Sequence, residues 1–96
     1  MTKENILHYL KDKKDNFKNR YNIIKIGIFG SYAKDRANSN SDIDIVVEFD
    51  KFDAFNLIGI KQDIEKDLKK RVDIVQLREK MNNFLKNRIE QEAIYV

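Results

Sequence analysis

The sequence predicts a small α/β domain in which a short sheet is covered by helices. Three observations carry that prediction. Amphipathic stretches with helical spacing alternate with β-branched runs of strand length, in the order α-β-α-β-α-β-α. The chain has 96 residues, enough for one modest core, so a single domain over 1–96 is expected. Hydrophobic residues make up 42% and charged residues 36%, the balance of a globular fold with a heavily solvated surface.

The elements follow in order. Residues 3 to about 19 read as an amphipathic helix through Ile6, Leu7, Leu10 and Phe17, with Thr2 as its N-cap. Asn22 to Phe29, "NIIKIGIF", is β-branched and aromatic over a strand's length. Gly30 and Ser31 punctuate it, and "SYAKDRA" makes a short helix with Ser31 at or near its start. "ANSNS" is a polar loop, and "DIDIVVEF" is a second strand, apolar on both faces beyond its acids and therefore central in the sheet. Asp53 to Lys70 forms a second long helix with Leu57, Ile60 or Lys61, Ile64 and Leu68 on one stripe and Asp53 as the cap. "RVDIVQL" is a third strand. A last helix over 79–93 runs through Met81, Phe84, Leu85, Arg88 and Ile89, and "IYV" is a short apolar tail.

Composition excludes several classes. There is no cysteine and one histidine, His8, which removes disulfides, thiolate sites and His-based zinc sites. No apolar run approaches the roughly 20 residues of a membrane span, so no membrane partner is expected. The charged N-terminus does not read as a signal peptide, and a cytoplasmic location is expected. The net charge is +3, but the lysines of "KDKKD" and "KDLKKR" are interleaved with acids, as on solvated helix faces. Nucleic acid is therefore not the expected partner.

The acids of the second strand need a reason. An unpaired buried carboxylate costs several kcal/mol in effective terms, yet Asp42 and Asp44 sit in an apolar run. Alternation points both to one side, about 7 Å apart along the backbone. Asp73, between Val72 and Ile74, repeats the anomaly in the third strand. If those strands are neighbours, three carboxylates share one end of the sheet, and their repulsion raises at least one pKa. A hard divalent cation, Mg²⁺ or Mn²⁺, removes the conflict and supports in-line phosphoryl chemistry. Taken singly, Asp42 could merely precede the strand, and Asp73 could pair with Arg71 or Lys70.

Before those acids, a strand ending in Gly30-Ser31 and turning into a helix leaves backbone N–H groups and a hydroxyl free for phosphate. It matches neither the dinucleotide fingerprint nor the P-loop, and an EF-hand fails because Ile43 falls where its glycine must be.

Gly30-Ser31, the spacer "YAKDRANSN" and Ser41-Asp42-Ile43-Asp44 together resemble the signature of the DNA polymerase β-like nucleotidyltransferases. With the leading helix, "VDIV" and the "EAIYV" ending, the chain resembles more closely the minimal nucleotidyltransferases, or MNT domains. The resemblance implies a nucleotidyltransferase palm, a small mixed sheet covered by helices. It implies that Asp42 and Asp44 hold Mg²⁺ with Asp73 as third acid, helping to activate the attacking hydroxyl. It implies that Gly30 and Ser31 contact the triphosphate of ATP, with Ser41 and Lys34 on the nucleotide side of the site. Asp35 departs from the pattern, since relatives frequently have glycine there; an acid beside the triphosphate is tolerable only if it points outward.

MNT domains are commonly antitoxins of HEPN-domain ribonuclease toxins, and members of the family transfer AMP from ATP to a toxin tyrosine. The resemblance therefore implies a protein adenylyltransferase with a HEPN toxin as partner. Three alternatives stay open on the residues: an antitoxin acting by contact alone, or transfer to a small-molecule or to an RNA hydroxyl. Self-association as a homo-oligomer is also open. Phe17, Phe29, Phe49, Phe55 and Phe84 sit at core-like positions in this reading, while Tyr32, Phe52 and Tyr95 are the better candidates for an exposed stacking or partner surface, with ordinary packing the stronger reading for each.

Overall fold

The computed structural model describes residues 1–96. Helix α1 (Lys3–Tyr21) leads into strand β1 (Ile23–Phe29), the single-turn helix α2 (Gly30–Ala33) and strand β2 (Ile43–Phe49). Helix α3 (Ala54–Leu68), strand β3 (Val72–Gln76), helix α4 (Asn83–Glu92) and strand β4 (Ile94–Tyr95) complete the chain. The order is the expected one with a fourth strand added. The tail "IYV" pairs antiparallel to β1, with Gly27 opposite Tyr95 and Ile28 opposite Ile94.

Local chemistry sets the ends. Thr2 caps α1 through its side chain, which accepts the Asn5 N–H, while the Asn5 side chain returns a bond to the Thr2 N–H. Asn22 ends that helix in the left-handed region, at φ 59°, a conformation asparagine tolerates better than most residues. Asp53 caps α3 by accepting from Phe55 and Asn56 N–H. The last helix is shorter than its apolar pattern: it starts at Asn83, capped by Asn82, and leaves Met81 outside.

The sheet runs β3-β2-β1-β4. β2 lies antiparallel to β1 and parallel to β3, so it is central, as its apolar character predicts. The parallel pair requires a crossover, and α3 supplies it. Alternation along β2 then divides two packing layers. Ile43, Ile45 and Val47 join Ile6, Leu10 and Phe17 of α1 and Ile60 and Ile64 of α3 in the larger core. Val46 turns the other way, to Phe29 and Ile89 of α4. Burying each isoleucine contributes about 1.5–3 kcal/mol, and the larger layer holds most of them. Asp44 and Asp73, two residues before Val46 and Val75, belong to the thinly covered layer beneath α4. That placement leaves carboxylates room that the main core would deny them.

Phe55 and Phe84, expected in the core, lie on the surface at 84% and 75% exposure. Each is the second residue of its helix, and helical periodicity alone does not specify whether a first turn is covered by the rest of the fold. Tyr32 is buried, as ordinary packing requires. Phe52 is exposed and keeps its place as a surface candidate, while Tyr95 is half-buried in β4.

Candidate active site

The parallel pairing of β2 and β3 brings the strand acids together. Asp44 and Asp73 are direct register partners, so their backbones are about 4.8 Å apart. Asp42 lies one residue before β2 rather than inside it, and the strand opens at Ile43, whose N–H donates to the Arg71 carbonyl at 3.0 Å. The Asp42 carboxylate stands 3.8 Å from Arg71 Nε, a solvent-exposed pair of little energetic weight. Burial pushes the Asp44 carboxyl above its usual range, the Asp73 charge pushes it further, and Asp42 and Glu92 add to both; Arg88 opposes them.

No three of the acidic and histidine side chains converge on one point in this arrangement. The donors nevertheless suit a hard divalent cation: they are all carboxylate oxygens, and Asp44, raised first by burial and then by the Asp73 charge, faces a second carboxylate whose repulsion such a cation relieves.

Facing the acids is the Gly-Ser turn. Gly30 follows Phe29, which pairs with Asp44 across the antiparallel ladder. Its φ is +73°, the left-handed region where side chains are strained. A Cβ at Gly30 would also overlap Asp44 Oδ2, so glycine is required twice over. It sets turn and carboxylate in contact, and Ser31 takes the next place in α2. The turn is closed by Lys34 N–H to the Gly30 carbonyl at 3.1 Å and Arg36 N–H to the Ser31 carbonyl at 2.8 Å.

The spacer resolves the place of Asp35. It adopts φ 58° and its carboxylate pairs with Lys3 Nζ at 3.0 Å, away from the turn and back toward the start of α1. Ser41 is occupied locally, its Oγ accepting the Asn38 N–H at 2.9 Å. Lys34 does lean to the site, but its Nζ meets the Glu92 carboxylate at 2.8 Å. Glu92 also accepts the Gly30 N–H at 3.1 Å, and Arg88 Nη2 lies 3.7 Å away. The bond to Lys34 and the Gly30 N–H hold the Glu92 carboxyl below its usual range against burial. Sequence reading missed Glu92 and Arg88 as site residues. The available signal was Arg88, a cation standing in the apolar stripe of α4.

Two hollows flank these residues. One of about 320 Å³ lies at Asp42 and is bordered by Asn40, Ser41, Lys69, Lys70 and Arg71, with neither Asp44 nor Asp73 in its wall. A larger one of about 700 Å³, bordered by Glu48, Phe49, Phe52, Leu77, Ile89 and Tyr95, opens under α4 at the opposite end of β2. Glu48 is four residues beyond Asp44, about 13 Å along the strand, so the larger hollow is separate from the acids.

A four-stranded mixed sheet with a Gly-Ser turn set against strand carboxylates defines a nucleotidyltransferase fold of the polymerase β-like class. The family model described as "Nucleotidyltransferase domain" matches residues 10–96, and the chain belongs to that family and is a nucleotidyltransferase. Among curated proteins it is 30% identical over 97 residues to the protein adenylyltransferase MntA of Thermococcus cleftensis, covering 100% of this chain and 97% of that protein. A Methanocaldococcus jannaschii protein provisionally named a protein adenylyltransferase is 35% identical over 98 residues, covering 99% and 98%. Among solved structures, one described as a minimal nucleotidyltransferase superposes with a TM-score of 0.78 at 26% identity, covering 98% of this chain and 95% of that one. A toxin–antitoxin structure with AMP-PNP gives 0.72 at 26% identity, over 99% and 72%. A tri-AMPylated Shewanella oneidensis HEPN toxin in complex with its MNT antitoxin matches in fold, at 0.65 and 23% identity over 93% and 70%.

Proposed function

We propose that residues 1–96 form one Mg²⁺-dependent protein adenylyltransferase that transfers AMP from ATP to a tyrosine hydroxyl of a partner HEPN toxin, and so acts as its antitoxin. The observation that carries the reading is the register pairing of Asp44 with Asp73 directly against the Gly30 turn. It sets an acidic side and a phosphate side in contact, as transfer from a triphosphate requires. The relatives named protein adenylyltransferase support the reaction, and the toxin–antitoxin structures support the partner.

Asp42, Asp44 and Asp73 are the residues that would hold the cation; Mn²⁺ suits the same donors. When bound, it supplies neutralisation of charge on the triphosphate and on the departing pyrophosphate. Gly30 and Ser31 orient the triphosphate through the turn, and Lys34 supplies a cation to it, with Ser41 shaping the loop that leads to Asp42. The acceptor oxygen bonds to the α-phosphorus as the bond to the β-phosphate bridging oxygen breaks. The hydroxyl proton passes to the Asp73 carboxylate, and pyrophosphate leaves. Asp35, tied to Lys3, takes no part.

Incubation with α-labelled ATP, Mg²⁺ and the cognate toxin should label the toxin, and Asp42→Asn with Asp44→Asn should abolish labelling and neutralisation together. An unlabelled toxin still neutralised by that double variant would establish contact as the mechanism instead.

A further inference from the structure

Glu92 is an anion seated on the donors that the phosphate needs. It is the last residue of α4, and its side chain is only 11% exposed. One carboxylate takes both the Gly30 N–H and the Lys34 ammonium, with Arg88 behind it. Charge-assisted bonds of this kind are about twice as strong as neutral ones. Polyphosphate therefore cannot use Gly30 and Lys34 without displacing an acid already bound there.

We propose that Glu92 is a positioning residue that acts as an internal substitute for phosphate. It holds the Gly30 turn and Lys34 in place while the site is empty, exchanges with phosphate oxygens on nucleotide entry, and competes again to help expel pyrophosphate. The inference rests on Gly30 and Lys34 being the phosphate side of the proposed site. The backbone of Glu92 is fixed: the Ala93 N–H closes the helix on the Ile89 carbonyl at 2.9 Å, and Ile94 pairs at once with β1. The exchange is thus a rotation of the Glu92 side chain and a swing of the Lys34 stem, with no movement of the fold. Removing the charge while keeping the shape leaves the donors intact and takes away their competitor.

The test is calorimetric titration of inorganic tripolyphosphate, without divalent cation, into the wild-type chain, Glu92→Gln and Lys34→Ala. Glu92→Gln should bind about tenfold more tightly than wild type, and Lys34→Ala more weakly. In turnover with Mg²⁺, Glu92→Gln should lower KM for ATP, and kcat should fall with it as pyrophosphate leaves more slowly. If Glu92→Gln loses its cooperative melt, Glu92→Asp, which keeps the charge but shortens its reach, should tighten binding in the same direction by a smaller factor. Unchanged or weaker binding by the Glu92 variant, with Lys34→Ala still weakened, would overturn the exchange and leave the phosphate side standing. Tripolyphosphate indifferent to Lys34→Ala would remove the phosphate side itself, and the inference with it.

Discussion

Asp44 is held where its neighbours repel it. It is half-buried, faces Asp73 across the parallel ladder and touches the Gly30 turn, and its carboxyl is raised first by burial and then by Asp73. A raised carboxyl means that the folded chain binds that proton more tightly than the unfolded one. Its contribution is fully present below the ordinary carboxylate pKa and is lost as pH rises through the raised value. Without divalent cations, Asp44→Asn should therefore melt higher than wild type at neutral pH. Melting temperatures measured in chelator across acid and neutral pH should show the gap closing on acidification. A variant that melts lower at every pH would make Asp44 a structural partner instead.

At the scale of elements, the decisive joint is between α3 and β3. Lys69 ends α3 at φ 54°, and Glu65 reaches across the turn to accept the Val72 N–H at 3.0 Å and a bond from Lys61 at 3.1 Å. That bond fixes where β3 begins, and so sets Asp73 opposite Asp44. The Val72 N–H, then Lys61, hold the Glu65 carboxyl below its usual range. The sign is opposite to that of Asp44: this stabilisation is present above the unfolded value and is lost as pH falls through the lowered folded one. Glu65→Gln should be less stable than wild type at pH 7, with the difference vanishing in acid, measured by urea unfolding at each pH. The fourth strand belongs to the same scale. Two residues suffice for β4 because Gly27 of β1 has no Cβ to meet the Ile94 carbonyl, which lets the tail approach and anchors Glu92 beside the turn.

Across the whole molecule, the larger core lies between α1, α3 and one sheet face, while the site occupies the thinner layer under α4. No helix is long and apolar enough to cross a membrane. Phe55 and Ile58, three residues apart on α3, are both exposed, on a side of the helix away from Ile60 and Ile64. Exposed aromatic side chains are the usual anchors of protein contacts. With a HEPN toxin as the proposed partner, Phe55→Ser should leave stability within about 0.5 kcal/mol and weaken the toxin complex by about tenfold or more. Chemical denaturation and a binding titration read the two quantities separately. Undiminished toxin binding would place the contact elsewhere.

Local signals in the sequence carry the α/β class, the element order and the caps at Thr2 and Asp53, and they single out Asp42, Asp44 and Asp73 with the Gly30-Ser31 turn as the candidate site. Each is a local signal: periodicity, a capping residue, or an acid placed against its apolar surroundings. Long-range packing, by contrast, makes Asp44 and Asp73 register partners, leaves Asp42 before the strand and turns Asp35 outward to Lys3. The same holds for the surface places of Phe55 and Phe84, for β4, and for Glu92 with Arg88 behind it. Glu92 stands 62 positions from Gly30, and no periodicity encodes a contact made by docking one helix on a distant turn. Helical spacing specifies which side chains share a face, whereas the packing of that helix on the sheet selects what they meet.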